Sequence, residues 1–287
     1  MSQGDIDRPI GVFDSGLGGL TVLRELQARL PAEDLIYFGD TARVPYGTKG
    51  ARTVQAFAWQ DARFLLGLGV KLVIVACNTA SAFALDDLAA RLPVPVLGVI
   101  EPGVAAALAA SRGGPIGVIG TRGTIASGRY QTGLSVHLDP ARIFARPCPL
   151  FVPLAEEGLT EHPLTDLTCG EYLTELRDAG VDTLILGCTH YPLLKPAIAR
   201  FMGPHVVLVD SAEALADAAA VRLRHAGLLR DGAEPGQLTF YLSDIPWVFA
   251  EVGARFLGRP IAAVQTVNLD ELEAEGRLAP VGKGGAS

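Results

Sequence analysis

One stretch, LVIVACNTASAFALDDLAAR at residues 72–91, contains the structural unit that decides the fold. Its first five residues are continuously apolar and rich in Val, which is typical of a strand buried on both faces of a parallel sheet. A polar cluster, Cys77-Asn78-Thr79, follows directly. The remainder, Ser81–Arg91, has the apolar spacing of an amphipathic helix. The stretch therefore predicts a strand and a helix joined by a turn that carries reactive side chains.

The same succession of strand and helix recurs along the chain. Such alternation indicates an α/β fold of two similar lobes, each a mostly parallel sheet flanked by helices. The apolar runs predict strands at Ile10–Phe13, Leu35–Phe38, Leu72–Ala76, Val96–Ile100, Ile116–Ile119, Leu184–Leu186, Val206–Val209 and Leu238–Leu242. The amphipathic segments predict helices that include Leu20–Leu30, Thr53–Leu68, Ser81–Arg91, Thr165–Ala179 and Glu213–His225.

The two halves of the chain contain similar motifs in the same order. Residues 10–13 precede the Cys77 motif in the way that residues 116–119 precede the segment Gly187-Cys188-Thr189-His190. We interpret this as a repeat that places a cysteine at a strand end in each lobe, with a chance match between apolar strands as the alternative. Because ligands bind beyond the carboxyl ends of parallel strands, the polar clusters there predict the site.

Composition limits the classes of function. Of 287 residues, 49% are hydrophobic and 19% are charged, which is enough for a large core and too apolar for disorder. The formal net charge is −7 and no block of Lys and Arg occurs, so nucleic acid and anionic membranes are poor candidates as partners. We find no signal peptide and no apolar run that could span a bilayer, and we expect a cytoplasmic protein.

Two of the four cysteines, Cys77 and Cys188, have matching contexts. Each ends an apolar strand and is followed by residues that can cap a helix, Asn78-Thr79 and Thr189. A helix N-terminus favours the thiolate and can hold a carboxylate, so we predict that both thiols transfer protons. The alternative is two small buried hydrophobic residues. The other two cysteines lack this context and are expected to be structural, and the absence of C-x-x-C argues against a thiol-redox enzyme.

Further polar residues are candidates for the site, some at these strand ends and one, Glu156, after the segment Pro153-Leu154-Ala155. His190 could orient or protonate the Cys188 thiol, bind a metal together with it, or be purely structural. Asp14 and Ser15 lie in a Gly-rich turn that matches neither the dinucleotide-binding nor the P-loop pattern, so a helix cap is as good an interpretation as a functional one. Taken alone, Glu156 is typical of a solvated surface residue.

Together, these motifs resemble the glutamate racemase family, within the wider aspartate/glutamate racemase group. The resemblance covers nearly the whole predicted fold. The stretches that carry it are IGVFDSGLGGLTVL (10–23), YFGDTARVPYGTK (37–49), VIVACNTASA (73–82), PVLGVIEPG (95–103), IGVIGTRGTI (116–125), PLAEEG (153–158), LGCTHYPLL (186–194) and FAEVGARFLG (249–258).

The resemblance implies racemisation of glutamate by two bases, without a cofactor and without a metal. One thiolate removes the α-proton and the opposing thiol delivers a proton to the other face, with Cys77 assigned to D-glutamate and Cys188 to L-glutamate. Asp14 is expected to assist Cys77, and Glu156 and His190 to assist Cys188. The residues expected to hold the substrate are Asp14, Ser15, Pro45, Tyr46, Gly47, Asn78, Thr79, Thr121, Thr124 and Thr189.

The resemblance also implies how the chain is organised. Residues 1–100 and 210–272 are expected to form the first lobe and residues 101–209 the second, with the active site in the cleft between them. Residues 273–287 are expected to be a flexible tail. Glutamate is the expected small-molecule partner, and a homodimer is an open option because the family is often dimeric. The implied role is supply of D-glutamate for peptidoglycan.

Two other functions stay open from the sequence. One is racemisation of aspartate or another amino acid; His190 favours glutamate, because aspartate racemases typically carry Glu at that place. The other is a non-enzymatic α/β binding module for a small anionic ligand, which would use the Gly-rich turn and need neither cysteine.

Overall fold

The computed structural model describes residues 3–261 and 263–275, and within them the chain forms two parallel sheets flanked by helices. The strands are β1 Ile10–Asp14, β2 Leu35–Gly39, β3 Leu72–Val75, β4 Val96–Gly98, β5 Ile116–Gly120, β6 Ile143–Pro147, β7 Thr183–Gly187, β8 Val207–Asp210, β9 Leu238–Leu242 and β10 Gln265–Thr266.

The helices separate these strands along the chain. They are α1 Gln3–Ile6, α2 Leu20–Arg29, α3 Ala51–Gly67, α4 Asn78–Arg91, α5 Ile100–Ala110, α6 Arg122–Ala126, α7 Arg129–Ser135, α8 Phe151–Glu156, α9 Pro163–Asp178, α10 Lys195–Met202, α11 Ser211–His225, α12 Phe249–Leu257 and α13 Leu269–Glu275. Short 3₁₀ helices occur at Thr41–Arg43, Tyr46–Thr48, Pro140–Arg142 and Tyr191–Leu194.

The two sheets repeat one strand order. The larger sheet has the order β10-β9-β2-β1-β3-β4 and the smaller sheet the order β6-β5-β7-β8, and the strand pairs are parallel. The unit β2-β1-β3-β4 is therefore matched strand for strand by β6-β5-β7-β8. This confirms the predicted fold class and explains the repeated motifs, because β3 and β7, which precede the two cysteines, occupy equivalent places.

Edge strands account for most of the differences from the predicted elements. We missed β6, whose sequence IFARP contains Arg and Pro and whose five residues are only half-buried at a sheet edge. We also missed β10, which has two exposed residues at an edge of the other sheet. Edge strands need no continuous apolar run and tolerate Pro. The predicted strand Val96–Ile100 was too long, because β4 ends at Gly98 and α5 begins at Ile100.

Two connections join the sheets. Helix α5 follows β4 and packs against β7 and β8, whereas α11 follows β8 and packs against both α2 and α5. The predicted limit at 100/101 falls at the start of α5, and the limit at 209/210 falls before the last residue of β8, which α11 follows directly. We propose them as the limits of the first and second lobes. Residues 273–275, assigned to a flexible tail from the sequence, belong to α13, and the rest of that tail lies outside the described residues.

The core holds the lobes in one arrangement. Strands β1, β3, β5 and β7 consist of buried residues, as central parallel strands should. One apolar cluster runs continuously from Ile74 of β3 through Val104 of α5 to Leu186 of β7. The carboxyl ends of the central strands are therefore fixed opposite each other. No helix within the described ranges is long and apolar enough to cross a membrane.

Candidate active site

A cavity of about 180 Å³ lies where the segments after β1, β3, β5 and β7 meet. All but three of the predicted site residues line it. The lining residues are Ser15, Pro45, Tyr46, Gly47, Thr48, Cys77, Asn78, Thr79, Thr121, Arg122, Pro149, Val152, Pro153, Cys188, Thr189 and His190. Both lobes contribute, so the cavity lies in the cleft between them.

The three predicted residues outside the lining, Asp14, Thr124 and Glu156, support residues that belong to it. Asp14 ends β1 and is fully buried; its Oδ2 accepts a hydrogen bond from the Gly16 N–H at 3.0 Å, and its charge raises the pKa of Cys77, which lines the cavity. The Thr124 hydroxyl is hydrogen-bonded to that of Thr79 at 3.1 Å. Glu156 is in contact with His190, as described below. Asp14 and Ser15 are not the N-cap of α2, as the alternative interpretation proposed. The N-cap is Gly19, and no side-chain capping hydrogen bond is formed there.

Cys77 is the N-cap of α4, a place that we predicted for Asn78 or Thr79. Its Sγ accepts a hydrogen bond from the Ala80 N–H at 3.4 Å, and its S–H donates to Ser15 Oγ at 3.6 Å. The helix N-terminus acts on Cys77 in the predicted direction, since the hydrogen bond from the Ala80 N–H lowers its pKa, but this effect does not decide the outcome. Burial and the nearby Asp14 carboxylate raise the pKa of Cys77 to about 12 and outweigh the two hydrogen bonds. Cys77 is therefore held as a thiol that can give a proton.

Cys188 has a different setting. The segment after it forms the 3₁₀ helix Tyr191–Leu194, whose N-cap is His190 and which continues directly into α10 at Lys195, so the helical segment begins one residue later than a cap at Thr189 predicts. Cys188 Sγ lies 3.8 Å from His190 Nδ1, and His190 Nε2 lies 2.9 Å from Glu156 Oε1. A carboxylate, an imidazole and a thiol thus form a chain in which each group orients the next.

His190 carries a positive charge in this arrangement. Burial lowers the pKa of His190, but the hydrogen bonds and charges of Cys188 and Glu156 raise it, with a net result of about 10. An imidazolium next to a cysteine stabilises the thiolate form. The two thiols therefore lie in opposite settings, one kept protonated by burial and one beside a cation, as a base and an acid on two faces of a substrate require.

We expect the loss of a proton from His190 to determine the alkaline side of the pH–rate profile. Because its folded-state pKa is raised from 6.5 to about 10, the imidazolium persists at neutral pH and is lost as the pH rises through 10. We expect kcat/KM to fall in that range. Glu156→Gln removes a charge that raises this pKa, so the fall should move to lower pH, whereas Glu157→Gln should leave it in place. If Glu156→Gln leaves the pH–rate profile unchanged, the titration of His190 does not control the rate.

Two glycines allow the lobes to touch around the cavity. A Cβ at Gly18 would lie 2.3 Å from Thr189 Oγ1 and 2.6 Å from the His190 ring, and one at Gly47 would lie 2.7 Å from Thr121 Cβ. No side chain fits at such distances in a close-packed interior. The Gly-rich turn and the loop at Gly47, both in the first lobe, therefore lie directly against strand ends of the second lobe.

The loop that contains Pro45 and Gly47 is anchored by buried charges. Tyr46 lines the cavity, but its hydroxyl is in hydrogen-bond contact with Asp40 and, at 2.9 Å, with Asp61 Oδ2. Arg43 donates to the same two carboxylates, at 2.7 Å to Asp40 and 3.0 Å to Asp61. The Tyr46 hydroxyl is thus occupied, and Tyr46 contributes other atoms to the cavity.

Two residues of α12 were missed as parts of the site, although they lie in a motif that carried the resemblance. Phe256 is fully buried and packs its ring edge-on against His190, with 5.0 Å between ring centroids. Arg255 donates to the Glu156 carbonyl oxygen at 2.5 Å. The first lobe therefore supports the His190–Glu156 pair of the second lobe. Nothing in the local pattern of α12 indicates these contacts, because they depend on how the lobes pack.

The remaining cysteines, Cys148 and Cys169, are buried and do not line the cavity. Burial, with the nearby charge of Asp166, raises the pKa of Cys169 to about 12. Within residues 3–261 and 263–275, no three His, Cys, Asp or Glu side chains are grouped as metal ligands would be. Neither cysteine adds a reactive group to the cavity.

Comparison with known proteins decides the family. The model of the family described as Asp/Glu/Hydantoin racemase matches residues 10–219. The chain belongs to this family. Together with the relatives named glutamate racemase, this confirms the predicted resemblance and the class of enzyme, an amino-acid racemase and thus an isomerase.

Relatives of this racemase match it over nearly their whole length. It is 52% identical over 263 residues to the glutamate racemase of Geobacter metallireducens, a match that covers 92% of this chain and 97% of the relative. The solved glutamate racemase from Thermus thermophilus in complex with β-chloro-D-alanine has 47% identity and a TM-score of 0.84, covering 93% of this chain and 99% of that one. The glutamate racemase from Francisella tularensis in complex with D-glutamate has 40% identity and a TM-score of 0.86, with the same coverage.

Proposed function

We propose that this enzyme interconverts L- and D-glutamate in the cytoplasm by transferring protons with Cys77 and Cys188, and that it supplies D-glutamate for peptidoglycan. The observation that carries the proposal is that two thiols, one from each lobe, line one small cavity. Inverting a stereocentre by removing and returning a proton needs acid–base groups on both faces of the α-carbon. Relatives that are 45–52% identical and named glutamate racemase support the choice of substrate.

The settings of the two thiols assign their roles in the L-to-D direction. Cys188, beside the His190 imidazolium, acts as the thiolate that takes the α-proton from L-glutamate. Cys77, held as a thiol by burial, delivers its proton to the opposite face of the carbanion. After one turnover Cys188 is the thiol and Cys77 the thiolate, so the enzyme is left ready for D-glutamate. No cofactor takes part in these steps.

The polar lining holds the substrate and stabilises the charge of the carbanion. Ser15, Asn78, Thr79, Thr121 and Thr189 surround the two thiols with hydroxyl and amide groups. Donors of this kind stabilise negative charge that develops next to a carboxylate, and exclusion of water strengthens them. Among the described residues, Asp14 Oδ1 is buried without a hydrogen-bond partner. We assign Asp14 to assist Cys77, whose pKa its charge raises.

Deuterium exchange tests the proposal directly. The enzyme, purified without added cofactor, is incubated in D₂O with L-glutamate or D-glutamate, followed by NMR and chiral analysis. We expect deuterium at the α-carbon together with inversion. Absence of exchange would favour the binding module for a small anionic ligand. If the enzyme turns over aspartate as fast as glutamate or faster, the proposal that glutamate is its substrate is wrong.

A further inference from the structure

Tyr130 is a buried residue at the junction between the lobes. It belongs to α7 of the second lobe, is fully buried, and donates its hydroxyl hydrogen to Asn78 Oδ1 of the first lobe at 2.7 Å. A Cβ at Gly103 of α5 would lie 3.4 Å from the Tyr130 hydroxyl oxygen, and one at Gly187 would lie 3.1 Å from its Cε2. The ring is thus packed between a helix that connects the lobes and the residue before Cys188.

The two polar groups of the Asn78 side-chain amide differ in their hydrogen bonding. It lines the cavity and is 2% exposed. Its Oδ1 is occupied by Tyr130, whereas its Nδ2 has no hydrogen-bond partner among residues 3–261 and 263–275. Buried amide donors in proteins are nearly always satisfied, so a ligand acceptor is the expected partner. A carboxylate oxygen has the required chemistry.

We propose that Tyr130 is a positioning residue whose hydroxyl fixes the Asn78 amide with Nδ2 directed at a carboxylate oxygen of the substrate. The identity of that substrate rests on the proposed function. Asn78 cannot turn its amide over without breaking the bond to Tyr130, so the donor is presented before the substrate binds. Since the bond joins the two lobes, the donor is set relative to the second lobe, which carries Cys188.

A double-mutant cycle tests this role kinetically. Tyr130→Phe keeps the ring and frees the amide, and we expect KM for glutamate to rise about tenfold with a smaller change in kcat. In an Asn78→Ala background, the same substitution should change KM by less than about twofold, because interacting residues are not additive. Equal effects in the two backgrounds, or no effect in either, would overturn the proposal.

Tyr172→Phe is the matched control for loss of a tyrosine hydroxyl in the second lobe. Tyr172 is half-buried, and its hydroxyl oxygen accepts a hydrogen bond from the Leu150 N–H at 3.3 Å outside the lining of the cavity. KM should be unchanged in this variant. If Tyr130→Phe fails to fold, Asn78→Asp keeps an acceptor for Tyr130 and removes the donor. Its KM should rise to that of Asn78→Ala, and a wild-type KM would overturn the proposal.

NMR separates this inference from the choice of substrate. The chain contains two asparagines, Asn78 and Asn268, so labelling with ¹⁵N-asparagine gives two side-chain amide pairs. Without any ligand, Tyr130→Phe should shift or broaden the Asn78 pair and leave the Asn268 pair in place. An unchanged Asn78 pair would overturn the role of Tyr130. A wild-type enzyme that does not racemise glutamate would overturn the proposed function while this spectrum still decides the role of Tyr130.

Discussion

Cys77→Ser and Cys188→Ser are each expected to lower the rate of racemisation by about 10²–10⁴-fold, the range that a positioned proton-transfer group contributes. A hydroxyl has nearly the shape of a thiol but is a far weaker acid, so it neither forms the base nor delivers the proton readily. Both cysteines are buried at the ends of central strands, and Ser fits there without a clash. The measurement is kcat and KM in each direction by chiral analysis.

The equal energies of the two enantiomers provide an internal check on this result. Because the equilibrium constant is one, kcat/KM must fall by the same factor in both directions, whichever thiol is replaced. Cys169→Ser is the matched control, since Cys169 is buried but does not line the cavity, and its activity should stay within about twofold. Activity within tenfold of wild type in both active-site variants would show that the two cysteines do not transfer protons and are only small buried hydrophobic residues.

Gly18→Ala is expected to lower kcat/KM about 100-fold. A Cβ at this position would lie 2.3 Å from Thr189 Oγ1 and 2.6 Å from the His190 ring, so either the Gly-rich turn or His190 must move. A displacement of about 1 Å within a catalytic site can cost about 100-fold in rate. The measurement is kcat/KM for both enantiomers, together with thermal unfolding to show that the variant folds.

Gly67→Ala controls for the general effect of adding a methyl group. Gly67 ends α3, and a Cβ there would have no neighbour within 4 Å, so activity and stability should stay close to wild type. Wild-type kcat/KM in Gly18→Ala would mean that close contact between the Gly-rich turn and His190 is not needed for the reaction.

Much of the fold could be predicted from the sequence because central parallel strands are buried on both faces. The strands β1, β3, β5 and β7 are read from continuous apolar runs, and the helices between them from their amphipathic spacing. The edge strands β6 and β10 could not be predicted in this way, because each lies at the border of its sheet and contains polar or half-buried residues. The repeat of motifs did indicate two similar lobes.

The chemistry of the site divides in the same way. The sequence by itself determined which reactive groups exist and that Cys77 and Cys188 follow equivalent strands, since both depend on residues that are neighbours in the chain. Only the tertiary structure decided the protonation of Cys77 and of His190. Burial and Asp14 raise the pKa of Cys77 to about 12 and outweigh the effect of the helix N-terminus, and Glu156, from a separate helix, adds to the effect of Cys188 in raising the pKa of His190. Burial and long-range charge depend on segments far apart in sequence, and a local pattern does not contain them.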